Sequence, residues 1–384
     1  MSHTEEWITG DLVAQFTDWS GGPPEGVWSA PGRVTLLGEY LDLCGGVVLP
    51  TTVDLRARVA LRRRPDRLLR VRSRQKRDVV QVDGSALEPG VASGWAAYLL
   101  GAIWAVLELG APREGLDLML DSSVPEGAGV SSSAAVECAL VEALTAIWEI
   151  ELSPWQKAVV ARRAETDFAG VPCGLMDQVA AVFGRPARAL RYDSSTQTVS
   201  ELPLDPGATG AKLFLIDTRT RRRLGASEYR DRRAALASAQ QQLGGAPLVG
   251  AVEADLELFD DPATRALVRH AITEQRRVDQ GEAALRGGDL EELGRLMSSS
   301  HTSLRQDLRV SGPELDLAVQ AACAGGAYGA KLTGAGFAGA VVAVGPSQAE
   351  PEIQRSVAAA FAARGLRPAA VRAVAPAAGA RRDR

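Results

Sequence analysis

Apolar residues recur at helical spacing over residues 8–19, after which the pattern changes to alternation and short apolar runs. Strands are predicted at 27–37, 47–60, 68–71 and 79–82, where Arg-rich alternation such as LRARVALRRR fits strands with one solvated face. A helix follows at 95–109, a strand at 116–120 and a second helix at 133–148. Ser153-Pro154 opens a third helix running to about 168, with Pro at its first position. A Gly/Pro break at 170–174 precedes a short helix from Leu175, and 188–192 and 212–217 read as strands. From Ser227 long helical segments dominate, at 227–242, 262–285, 289–304 and 313–324. A strand pair at 329–333 and 339–344 brackets the Gly-rich turn 334–336, and a helix (350–364) and a strand (370–374) end the ordered region. The tail APAAGARRDR is expected to be mobile. Hairpin-like strands mixed with helices indicate an α+β fold rather than a doubly wound sheet. The turn-rich stretch LPLDPGATG sets a boundary near 205, giving domains at 1–205 and 206–375 and a tail at 376–384.

A chain of 384 residues has room for two such cores. The hydrophobic and charged fractions, 46% and 23%, are those of an ordinary globular protein. A net charge of −4 weighs against nucleic acid as the main partner, and the basic runs 61–77 and 219–233 read as solvated faces. Cys44, Cys138, Cys173 and Cys323 form no CxxC pair, which fits free thiols in a reducing compartment. The N-terminus MSHTEEWITGD is acidic and polar, unlike a signal peptide. No apolar run approaches the ~20 residues of a membrane span. The expectation is a soluble cytoplasmic protein with a small-molecule ligand and no nucleic-acid or membrane partner; the sequence leaves the oligomeric state open.

Candidate chemistry concentrates in VPEGAGVSSSAA, at 124–135. Gly127 and Gly129 permit backbone angles closed to other residues, so the chain is able to wrap a ligand closely. Ser131, Ser132 and Ser133 then open an apolar helix, presenting hydroxyls and unpaired N–H groups at the positive end of its dipole. The arrangement suits nucleotide phosphates, although no GK[ST] follows the glycines as a Walker loop requires.

Three further segments accompany this loop: PGRVTLLGEYLDLCGGVVLP at 31–50, ETDFAGVPCGLMDQ at 165–178 and LTGAGFAG at 332–339. In this order the four resemble the signature segments of the GHMP small-molecule kinase superfamily, specifically its galactokinase branch. SEYRDRR (227–233) and RHAITEQRRV (269–278) extend the likeness, which spans nearly the whole chain. The resemblance implies a two-domain α+β architecture with the active site in the cleft between domains, and transfer of phosphate from ATP to a sugar's anomeric hydroxyl. It assigns Asp177 to orienting and deprotonating that hydroxyl, with Arg33 as its partner. A neighbouring guanidinium favours an ionised carboxylate and stabilises an incipient alkoxide. It assigns sugar contacts to Glu39, Asp42 and Tyr229, with Gly174 admitting the sugar close to the backbone. Trp95 would flank the adenine, the serine loop with Gly127, Gly129, Ser131, Ser132 and Ser133 would embrace the triphosphate, and Ser131 and Glu165 would hold Mg²⁺ through oxygen ligands.

The likeness fails in places. Where the family reads GEHTDYNGG this chain has GEYLDLCGG, so Tyr40 replaces the His at the sugar, and Leu41, Leu43 and Cys44 replace Thr, Tyr and Asn. A wall with fewer polar partners discriminates hydroxyl stereochemistry less sharply, or fits an altered sugar. The N-acetylgalactosamine kinase branch also carries a Cys at position 44, but it keeps the His. Ala338 stands where galactokinases usually have Gly, and Arg222 near where the family often has His. Three readings remain open on the sequence: a galactose 1-kinase, the same chemistry on another sugar (N-acetylated, uronic, pentose or deoxy), and a non-catalytic sugar and ATP sensor. His270 and His301 show no zinc spacing and read as hydrogen-bonded structural residues. Cys173 falls in the pocket loop with nothing to make it a nucleophile.

Overall fold

The computed structural model describes residues 3–220 and 225–384, with side chains from 5–220 and 228–384. Residues 221–224, and with them Arg222, lie outside the described residues. The chain opens with α1 (His3–Ser20), then β1 (Gly26–Leu37), β2 (Val47–Arg64), β3 (Leu68–Ser73) and β4 (Val79–Asp83). Next come α2 (Trp95–Leu107), β5 (Gly115–Ser122), α3 (Ser132–Ile147), α4 (Pro154–Arg163) and α5 (Met176–Phe183). Strands β6 (Arg188–Asp193), β7 (Thr198–Pro203) and β8 (Ala211–Asp217) follow, then helices α6 (Gly225–Gln242), α7 (Pro262–Gly287), α8 (Leu290–Gln306) and α9 (Pro313–Ala324). The chain ends with β9 (Gly329–Thr333), β10 (Ala340–Pro346), α10 (Glu350–Ala363), β11 (Ala370–Val374) and β12 (Arg381–Arg382).

Two sheets organise these elements. One runs β12-β1-β2-β5-β3-β4, with β6 pairing to β2 and β7 to β6; the other runs β11-β8-β10-β9. Strand β1 is buried at every position, as its apolar sequence GVWSAPGRVTLL requires of a strand covered on both faces. Its pairing with β2 shifts between Pro31 and Arg33. A bulge there breaks the ladder and re-aims the following side chain, and it frees the Arg33 N–H to donate to Val130 O at 3.1 Å. The serine loop is thereby pinned to the sheet. Helix α4 starts on a capping box, Ser153 with Gln156, with Pro154 in its first turn.

The predicted elements recur within a few residues of their expected ends, with three differences. Strand β7 was not expected, because TVSELP is a short and mostly exposed edge strand. The third helix does not run unbroken to 168: α4 stops at Arg163 and Ala164–Phe168 winds as a π-helix. The tail, expected to be loose, is paired to the first sheet. Its register pairs Ser29 with Arg381 and Trp28 with Arg382. The buried Arg56 donates to Ser29 O at 3.1 Å and to Gly379 O at 2.8 Å, and Ala377 N donates to Thr52 Oγ1 at 3.0 Å. The small residues that suggested mobility are what let the tail lie flat against β1 and α5.

The basic run 61–77 is ion-paired rather than simply solvated: Arg62, Arg64 and Arg70 converge on the buried Asp117 at 2.9, 3.0 and 2.6 Å. Cys44 and Cys138 are buried free thiols, and no helix among the described residues is long and apolar enough to cross a membrane.

Candidate active site

A cleft of about 1190 Å³ lies between the two sheets, and every candidate site residue lines it. From the first sheet come Arg33, Glu39, Tyr40 and Asp42, in and just beyond β1. The serine loop, Trp95 at the head of α2, Glu165 and Asp177 complete that side. From the other side come Tyr229 on α6 and the turn at Gly334 and Ala335. Gly334 has φ +78°, and a Cβ there would meet Gly129 O at 2.5 Å, so only glycine lets this turn close on the serine loop.

Arg33 and Asp177 are joined directly. The guanidinium reaches Asp177 Oδ1 from Nε at 2.9 Å and from Nη2 at 2.6 Å, and Nη1 donates to Gly129 O at 2.6 Å. Burial works against the Arg33 charge, but Asp177, Glu39 and Asp42 outweigh it and raise its pKa. Both guanidinium contacts fall on Oδ1, so Oδ2 stays clear of Arg33. Helix α5 begins at Met176, which holds Asp177 in its first turn beside the Gly/Pro break. Within that break, a Cβ on Gly174 would run into the Asp42 carboxylate.

The sugar-side segment folds back through a left-handed residue, Tyr40, at φ 70°. Its hydroxyl donates to Ala335 O at 2.8 Å, and its ring lies 5.8 Å from that of Tyr229 at 47°. Glu39 is buried and accepts from Gly334 N at 2.6 Å, with Lys331 Nζ at 3.3 Å. His270 braces this segment from α7, with Nε2 at 3.2 Å from Glu39 O and Nδ1 at 2.9 Å from Ser303 Oγ. His301 accepts from Leu332 N at 3.3 Å. Both histidines are therefore hydrogen-bonded, each tying a helix to backbone outside the helical layer.

Burial first, and then the charges of Asp177 and Glu39, push the Asp42 carboxyl up from 3.8 to about 7 despite Arg33. The folded protein therefore holds the Asp42 proton more tightly than the unfolded chain does. Between these two values the native state binds more protons, so this group lowers stability as pH rises through that window. Asp42→Asn is expected to flatten the fall in Tm of the ligand-free protein between about pH 4 and about pH 7. Parallel Tm profiles for the two proteins would show that Asp42 carries no such linkage.

A second acidic group lies at the serine-loop end. Ser133 Oγ donates to Glu165 Oε1 at 2.9 Å; Gln178 Nε2 donates to Glu165 Oε2 at 2.9 Å and to Glu137 Oε2 at 3.2 Å. Burial, then Asp177, raises Glu165 to about 7, and burial with the Glu165 charge raises Glu137 as well. Glu165 lies within the π-turn and is buried there, not solvated as a residue of an exposed helix face would be. Ser131, expected to share Mg²⁺ with Glu165, is left-handed at φ 57°, and its buried Oγ has no hydrogen-bond partner among the described residues. The serine on Glu165 is Ser133, because the left-handed residue precedes α3 and Ser133 falls in the helix's first turn, facing the π-turn.

Sequence reasoning passed over Lys331, Glu137 and Gln178. Lys331 had a signal, a lone charge inside the apolar strand GAKLT. Gln178 directly follows Asp177. Glu137 lies four residues after Ser133, one helical turn on.

Residues 97–185 match the family described as GHMP kinases N terminal domain, and residues 282–363 match GHMP kinases C terminal. Fold and cleft together therefore define a GHMP kinase, a phosphotransferase. Residues 14–63, which include the divergent GEYLDLCGG, match the Galactokinase galactose-binding signature. The chain is 39% identical over 383 residues to a galactokinase of Streptomyces coelicolor, covering 98% of this chain and 99% of that one. It is 36% identical over 364 residues to a galactokinase of Chloroflexus aggregans, covering 92% of each. Lactococcus lactis galactokinase complexed with galactose superimposes with a TM-score of 0.92 at 26% identity, over 97% of this chain and 99% of that one. The chain belongs to the galactokinase family. A mevalonate kinase, at TM-score 0.68 and 18% identity, shares the fold.

Proposed function

We propose that the protein transfers the γ-phosphoryl group of ATP to the anomeric hydroxyl of galactose. The observation that carries this reading is Asp177, fixed through Oδ1 by Arg33 in a cleft whose sugar-side segment matches the galactose-binding signature. In this reading Oδ2 takes the proton of the anomeric hydroxyl. The sugar oxygen forms its bond to the γ-phosphorus as the bond to the bridging oxygen breaks, releasing ADP. Arg33 holds Asp177 in place and steadies the charge growing on the sugar oxygen. Glu39, Asp42, Tyr40, Tyr229 and the backbone at Gly174 surround the sugar. Gly127, Gly129, Ser131, Ser132 and Ser133 hold the triphosphate, and Trp95 flanks the adenine. The first sheet with its helices forms one domain and the second sheet with its helices the other, dividing near residue 205, with 376–384 returning to the first.

The serine-loop end fits Mg²⁺. Its donors are hard oxygens, the Glu165 carboxyl is held up near neutrality by burial, and Ser131 Oγ and Glu137 Oε1 are buried without partners among the described residues. Glu165, oriented by Ser133, and the unpartnered Ser131 Oγ would hold it. When bound, the ion neutralises charge on the β- and γ-phosphate oxygens.

The test is ADP release with Mg·ATP across galactose, N-acetylgalactosamine, galacturonate, arabinose and deoxy sugars. Turnover favouring galactose supports the proposal. Preference for another sugar would move specificity to the 40–44 segment, and ATP binding without turnover on any sugar would overturn catalysis. Tyr40→Phe removes the hydroxyl bridge to Ala335 and keeps the ring against Tyr229. It is expected to raise the galactose KM by about 2- to 10-fold, the worth of one hydrogen bond, with the ATP KM unchanged. An unchanged galactose KM would show that the bridge does not shape the sugar pocket.

A further inference from the structure

We infer that Gln178 is a positioning residue that sets the Glu165 carboxylate at the phosphate end of the cleft and couples it to the helix carrying Asp177. The inference rests on the proposed role of Glu165 toward Mg²⁺.

Gln178 is fully buried, and its amide nitrogen sits between two buried carboxyl groups, 2.9 Å from Glu165 Oε2 and 3.2 Å from Glu137 Oε2. The assignment of nitrogen rather than oxygen follows from the partners: a carboxylate accepts, and only the NH₂ end has two hydrogens to offer. Ser133 holds the other oxygen of Glu165 at 2.9 Å, so both oxygens are fixed, one from α3 and one from α5. Successive residues on a helix project about 100° apart. That angle lets Asp177 meet Arg33 in the cleft while Gln178 points inward to the acidic pair. One helix turn thus places the proposed base and the proposed metal carboxylate relative to each other.

Other side chains would not do this. A Leu or Met of similar size offers no donor and would leave two carboxyls facing each other in a buried site. A Glu would bring a third carboxyl there. A neutral amide with two N–H groups donates to both without adding charge. Gln178 Oε1 is buried with no partner among the described residues, so the side chain satisfies the acids at the expense of its own acceptor.

The test uses the full chain with Gln178→Met, and Gln178→Asn, a neutral amide too short to reach both carboxyls, as a second variant in case the first does not fold. Mn²⁺ binding in the presence of ADP, read by electron paramagnetic resonance without turnover, is compared with the Mg²⁺ half-saturation of activity. Both constants are expected to rise about tenfold or more, with galactose KM within twofold and saturating Mg²⁺ restoring part of kcat. Folded variants that lose kcat with both metal constants unchanged would overturn the inference. Glu165→Gln is measured alongside. If it weakens Mn²⁺ binding and the Gln178 variants do not, the inference fails and the role of Glu165 stands. If Glu165→Gln itself leaves Mn²⁺ binding unchanged, the reading of Glu165 fails and the inference falls with it.

Discussion

Asp177→Asn is expected to lower kcat by about 10³-fold, within the usual contribution of a positioned general base, while Tm and ATP affinity stay close to wild type. The substitution is nearly isosteric, and an amide oxygen still accepts from Arg33 Nε and Nη2, which now lie 2.9 and 2.6 Å from Asp177 Oδ1. Arg33 keeps the neighbouring charges of Glu39 and Asp42, so the buried guanidinium is not stranded. What the variant loses is the ability to take a proton. Galactose KM should move little, because the hydroxyl is still able to hydrogen-bond to the amide. Coupled detection of ADP release, calorimetric titration with ATP and thermal denaturation separate these quantities. If kcat falls less than about tenfold, Asp177 orients the hydroxyl at most and another group accepts the proton. If ATP affinity collapses as well, the substitution has disturbed the serine loop through Arg33 and Gly129, and the loss of rate says nothing of the proton.

Much of this site was legible because its chemistry is local in sequence. The serine loop, the segment around Glu39 and the turn before Asp177 each carry their glycines and their functional side chains within a dozen residues. Periodicity, which is also local, placed most helices and strands. What stayed hidden depends on contacts distant in sequence. Nothing near Ala164 marks a π-turn, and it is within that turn that Glu165 is buried and meets Ser133. The tail reads as mobile because APAAG has no side chains to anchor it. Its anchors belong to Arg56 and Thr52, more than three hundred positions earlier. Gln178 stood in plain view beside Asp177, but its value lies in two carboxylates on separate elements, at positions 13 and 41 residues away.

Lys331→Met is expected to produce the largest loss of stability, because Lys331 joins the two halves of the molecule through a buried charge. It lies on β9, fully buried, with Nζ 3.1 Å from Thr35 O on β1 and 3.3 Å from Glu39 Oε1. Burial lowers the pKa of this ammonium, and Glu39 and Glu274 offset that in part. Glu274 has compensation of its own, accepting from Gly38 N at 2.8 Å and Ser300 Oγ at 2.7 Å and pairing with Arg277 at 2.7 Å. Glu39 has Gly334 N and the more distant Arg33, so it suffers most when the ammonium goes. Breaking a buried pair from one side costs roughly 3–5 kcal/mol, a fall in Tm of about 4–6 °C for a chain of this size. Glu39→Gln in the same chain removes the stranded charge, and the double variant should recover a large part of the loss. A double variant no more stable than Lys331→Met would mean that packing of the lysine stem, and not the Glu39 charge, holds β9 against β1. Activity should fall in the single variant beyond what unfolding explains. Glu39 also accepts from Gly334 N in the turn that closes on the serine loop, and a carboxylate that shifts toward water takes that turn with it.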